Sequence, residues 1–170
     1  MRIIVDACNF IYSHRRLSGM LDSRPFENIR RALCAEFARY RRTGRLRRSE
    51  IVLVFDGSGG DAWAPGFLSS HGVRAVFSDS GQTADERIIE ILDGSRRPTE
   101  CLVVTSDRSL AAIARGRGAR TVRSDEFIRR MGVALRKASG SGDDEPPEKT
   151  RGSLSSGETD EWLRYFGIER

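Results

Sequence analysis

Three short apolar runs, each leading into an aspartate, limit what this chain can fold into. They are Ile3-Ile4-Val5-Asp6, Ile51-Val52-Leu53-Val54-Phe55-Asp56 and Cys101-Leu102-Val103-Val104-Thr105-Ser106-Asp107. Runs this short and this continuously apolar suit strands buried on both faces, which occur mainly in parallel sheets covered by helices. Such sheets carry their chemistry at the carboxyl ends of the strands, where strand order reverses. The order of elements, β-α-β-β-α-β-α-β-α, predicts an α/β fold of three layers with a mainly parallel five-stranded sheet. Right-handed crossovers allow the spatial order 3-2-1-4-5. In that order Asp6 and Asp107 share one crevice and Asp56 lies one strand away.

Between these runs the chain alternates. Residues 10–25 read as a loop or a short irregular helix. Phe26, Ile29, Leu33, Phe37 and Tyr40 then recur at helical spacing. Six arginines follow or interleave, Arg39, Arg41, Arg42, Arg45, Arg47 and Arg48, with no acidic residue among them. They read either as a solvated surface or as a phosphate-binding one. The glycine-rich loop after Asp56 lacks the Lys-Ser/Thr of a phosphate-cradling P-loop. Trp63, Pro65 and Phe67 follow it, in a loop read as a cover for the site. Trp63 and Tyr12 are candidates to stack on RNA bases. Thr83 and Glu86 have the spacing of a capping box, so Glu86 is explained without catalysis. Asp85 either complements the helix dipole or faces the crevice. Asp107 is placed to cap the following helix, and Ser124 the last one. The predicted organisation is a domain over residues 1–137, a Gly-, Ser- and Pro-rich linker over 138–157, and a short helix over 158–170.

A length of 170 residues fits one domain with a tail, and the net charge of +5 with a pI near 9.6 favours a polyanionic partner. Three scattered cysteines with no C-x-x-C pair point to a reducing, cytoplasmic setting. The first apolar run is too short for a signal peptide, and no stretch approaches a membrane span. Carboxylates gathered at one sheet edge repel one another, and a hard cation, Mg²⁺ or Mn²⁺, relieves that repulsion.

Val5-Asp6 with Asn9, Val54-Phe55-Asp56, Thr83-Ala84-Asp85-Glu86-Arg87-Ile88 and Thr105-Ser106-Asp107 together resemble the YacP-like NYN domains of the wider PIN-like nuclease fold. The Thr-Ala-Asp-Glu-Arg-Ile run is the most specific part. The resemblance spans roughly residues 1–135, with a weaker likeness at Trp162-Leu163-Arg164. It departs at Ala7 and Cys8, where a Gly and an aromatic residue are usual. It implies a metal-dependent endoribonuclease acting on messenger RNA within the translating ribosome; the arginine-rich segment from Arg39 to Arg48 is the expected contact to messenger or ribosomal RNA. Carried over by match, Asp6 and Asp85 are the expected essential metal-site carboxylates. Asp107 completes the acidic cluster, and Asn9 and Asp56 support it. Three rival readings are weaker. A silent RNA- or ribosome-binding module would not need Asp6, Asp85 and Asp107 intact. A phosphatase using Asp6 as nucleophile would want a second aspartate two residues on, where Cys8 stands. A toxin-type PIN nuclease does not explain the Thr-Ala-Asp-Glu-Arg-Ile run.

Overall fold

The computed structural model describes residues 1–44, 46, 48–57 and 72–139. Five strands, β1 (Arg2–Asp6), β2 (Glu50–Phe55), β3 (Val73–Phe77), β4 (Cys101–Val104) and β5 (Arg120–Val122), form one sheet in the order β3-β2-β1-β4-β5. Every neighbouring pair is parallel. The predicted architecture and strand order are therefore observed. Between the strands run the helices α1 (Ala7–Ser13), α2 (Arg15–Ser18), α3 (Phe26–Arg42), α4 (Ala84–Asp93) and α5 (Arg108–Gly116), and α6 (Ser124–Ala138) follows β5.

Alternation along the strands divides the core in two. Ile3, Val5, Leu53, Phe55, Leu102 and Val104 point to one face, where they meet α1, α3 and α6. Ile4, Val52, Val54 and Val103 point to the other, where they meet α4 and α5. On the first face Phe10, Phe37 and Phe127 are fully or almost fully buried, with ring centroids 5.1 to 6.3 Å apart. Burial of each such ring contributes about 1.5–3 kcal/mol, and it ties α1, α3 and α6 into one layer. On the second face Ile88 and Leu92 of α4 and Leu110 and Ala114 of α5 fill the space.

Of the two readings of residues 10–25, a loop or a short irregular helix, the helical one holds as far as residue 18: α1 begins directly after Asp6 and is followed by α2. The reason is that Ala7, Phe10 and Ile11 recur at helical spacing and all reach the core. Ser124 is not the cap of α6 but its first residue, and its hydroxyl is engaged elsewhere. The expected linker from residue 140 onward and the terminal segment with Trp162, Leu163, Phe166 and Ile168 lie outside the described residues. Among the described residues no helix is long and apolar enough to cross a membrane.

Candidate active site

Asp6 ends β1 and caps α1. The Asn9 N–H donates to its Oδ1 at 3.1 Å, as an N-cap requires. The Thr105 hydroxyl donates to its Oδ2 at 3.0 Å. The same hydroxyl oxygen accepts the Asp107 N–H at 3.1 Å, so one threonine couples the ends of β1 and β4. Asp107 in turn caps α5, accepting the Leu110 N–H at 2.8 Å. Asn9 reinforces this joint, because its Oδ1 accepts the Ser106 N–H at 2.9 Å and the Ser124 hydroxyl at 2.8 Å.

A second set of contacts holds the other wall. Asp56 follows β2, and its Oδ1 accepts the Ala84 N–H at 2.7 Å. Its backbone carbonyl accepts from Arg30 Nη2 at 3.1 Å. The Arg30 guanidinium lies over the rings of Phe26, Phe55 and Phe77, between 4.9 and 5.6 Å from their centroids. The predicted capping box of α4 is present. Thr83 Oγ1 accepts the Glu86 N–H at 3.2 Å, and the Glu86 carboxylate accepts the Thr83 N–H at 2.8 Å. Asp85 is thus carried on a rigid first turn and is half-buried.

The charges feel one another. Asp6, only 6% exposed, is pushed up to about 6. Burial is the main cause; hydrogen bonds from Asn9 and Thr105 oppose it, and the charges of Asp85 and Asp56 add to it. Asp85 is also raised, by burial first and then by Asp107, Asp56 and Glu86. Four aspartates from four points of the chain therefore share one field at the carboxyl edge of the sheet. Cys8 lies beside them; burial pushes its thiol up to about 11, which leaves it protonated and unreactive at neutral pH.

This donor set is all oxygen, negatively charged and mutually repelling, the chemistry that a hard divalent cation fits. Among the described residues no three acidic, histidine or cysteine side chains converge tightly enough to ligate one ion by themselves. A cation that keeps several waters, as Mg²⁺ does, suits a site of this looseness. Asp6 has one bond on each oxygen and retains further acceptor capacity on both. Asn9 has its carbonyl oxygen occupied twice and so braces the site.

Sequence reasoning gave no role to Thr105 and read Ser124 only as a helix cap. Thr105 and Ser106 stood inside the quoted motif, and a buried hydroxyl directly after a strand was the available signal. The arginines expected to contact RNA are distributed differently from one another. Arg39, Arg42 and Arg48 are exposed. Arg41 Nε donates to the Ser49 carbonyl at 3.4 Å, and its guanidinium fills the space a side chain at Gly72 would need. Arg45 and Arg47 lie outside the described residues, as do Trp63, Pro65 and Phe67. Tyr12 is exposed on α1.

The profile of the YacP-like NYN domain matches residues 3–165. NYN domains of this kind form a nuclease family whose members generally use divalent metals. A crystal structure of Rae1 (YacP) from Bacillus subtilis superposes with a TM-score of 0.66 at 26% identity, covering 82% of this chain and 78% of that one. A mutant form of the same protein superposes with a TM-score of 0.63 at 24% identity, covering 80% and 77% of the two chains. No curated protein matches significantly by sequence.

Proposed function

The chain belongs to the YacP-like NYN domain family, and from that premise we propose that it is a metal-dependent endoribonuclease acting on messenger RNA at the translating ribosome. The observation that carries this reading is the shared field of Asp6, Asp85 and Asp107 at the carboxyl edge of the sheet. Asp6, Asp85 and Asp107 are the residues that would hold Mg²⁺ or Mn²⁺, largely through water. Once bound, such an ion supplies positive charge to the phosphate and lowers the pKa of a coordinated water. The chain's own part is to hold the carboxylates still. Asp6 is fixed by Asn9 and Thr105, and Asp107 by Leu110 and Thr105. Asp85 is fixed by the capped first turn of α4. Arg39, Arg42 and Arg48 lie toward the opposite edge, where α3 ends and β2 begins. There they supply sequence-independent affinity for an RNA backbone rather than hold the phosphate being cut.

The test is incubation of the full chain with single-stranded RNA alone and with translating ribosomes, each with Mg²⁺, Mn²⁺ or a chelator, followed by mapping of RNA ends. New ends that need the metal and vanish in Asp85→Asn support the reading. Retention of RNA or ribosomes with no new ends in any arm would make this a binding module. Equal cutting of free and ribosome-bound RNA would remove the ribosome from the proposal.

A further inference from the structure

The wall of the site formed by β2 and α4 shows an aspartate used in an unexpected way. Asp56 directs its carboxylate to a backbone amide: Oδ1 accepts the Ala84 N–H at 2.7 Å. Ala84 is the first residue of α4, and the amide belongs to the set a helix cannot satisfy internally. A carboxylate on such an amide makes a charge-assisted bond and complements the helix dipole. Asp56 is itself held from behind. Arg30, seated over three aromatic rings, donates to its carbonyl. The next residue, Gly57, turns with φ 76° and donates its N–H to the Ser78 hydroxyl at 3.0 Å. A side chain at position 57 would be strained in that conformation. The end of β2 is therefore a fixed post, and the first turn of α4 hangs from it by one strong bond. The residue after Ala84 is Asp85.

We propose that Asp56 is a positioning residue, hanging the first turn of α4 on the end of β2 so that Asp85 faces Asp6, with Arg30 as the clamp that sets Asp56. This rests on the reading of Asp85 as a metal-site carboxylate. It gives Asp56 a task in which the acceptor oxygen matters more than the negative charge. Asn supplies the same oxygen in the same place, whereas Ala supplies none.

The experiment compares full-length wild type, Asp56→Asn and Asp56→Ala by amide hydrogen exchange at Ala84 and by Mg²⁺-dependent cleavage of single-stranded RNA or ribosome-bound messenger RNA. Asp56→Asn is expected to keep Ala84 protection and cleavage within about 3-fold of wild type, since the hydrogen bond survives. Asp56→Ala is expected to exchange Ala84 roughly 10-fold faster and, through a displacement on the order of 1 Å, to cleave about 100-fold more slowly. Loss of cleavage in Asp56→Asn with Ala84 still protected would overturn the proposal, because the charge would then be the working part. Unchanged Ala84 exchange in Asp56→Ala would overturn it as well. Should Asp56→Ala fail to fold, the Asp56→Asn result decides alone. A wild-type protein that cuts no RNA would sink the nuclease reading, and the exchange comparison would still decide whether Asp56 holds α4.

Discussion

Asp6 illustrates what burial does to a single carboxylate. Its carboxyl titrates near 6 in the fold, against 3.8 without perturbation, chiefly because it is buried. Between those values the folded chain keeps a proton that the unfolded chain has lost. The stability this group confers is therefore highest below about pH 4, falls as pH rises through the window, and stays low above about 6. The fall is on the order of 2–3 kcal/mol. Other groups titrate in the same range, so the clean measurement is a difference. Metal-free Asp6→Asn should melt higher than metal-free wild type at pH 7.5, and the gap should close as pH is lowered to 4.5. Adding Mg²⁺ at pH 7.5 should raise the wild type and leave the variant nearly unmoved. The variant should not cleave. Thermal melts at the two pH values check the first part, and RNA end mapping the second; a variant that melts lower at pH 7.5 would mean that burial is not what governs this carboxyl.

The elements show which parts of the design were legible. The capping box at Thr83 and Glu86 was readable because both partners lie within one helical turn. The three strands were readable because each is an almost continuous apolar run that leads within three residues to an aspartate. The helix α1 was not, because its few residues run on directly from a strand and its apolar spacing merges with it. The braces of the site were not either. Thr105 meets Asp6 across 99 residues, and Ser124 meets Asn9 across 115, and only the folded path brings them together. Thr105 is the informative target at this scale. Thr105→Val keeps the volume but removes the donor to Asp6 and the acceptor of the Asp107 N–H. Loss of these buried bonds should cost about 1–3 kcal/mol in metal-free stability and depress cleavage. Thr105→Ser should recover most of both. Denaturant melts and initial cleavage rates distinguish this outcome from a packing effect, which serine would not repair.

At the scale of the molecule, the two ends of the strands carry different groups. Asp6, Asp56, Asp85 and Asp107 collect at the carboxyl edge of the sheet, while Arg2, Arg48 and Arg74 stand toward the amino edge beside Glu50. Two open concavities of about 430 and 340 Å³ lie at that amino edge, sharing Glu50 on their walls. Glu50 pairs with Arg2 at 2.7 Å and with Arg74 at 3.3 Å, which leaves exposed Arg39, Arg42 and Arg48 as the better candidates to meet phosphates. Changing these three together to Gln should weaken binding to long RNA and flatten its salt dependence by about 0.7 in the log–log slope for each phosphate no longer neutralised. The melting temperature should be little altered. Filter binding over a salt series checks this; an unchanged slope would assign the footprint to another surface.

Because every strand points the same way, the direction of the chain becomes a direction of the molecule. A strand of five residues is about 17 Å long, so a nucleic acid must reach past that length to engage both ends of the domain at once. An oligonucleotide too short to do so meets either the acidic edge or the edge that carries Arg39, Arg42 and Arg48. Its cleavage should therefore be indifferent to the arginine substitutions that weaken action on long transcripts. The domain would then read the length of its substrate by its own thickness, with no part that moves.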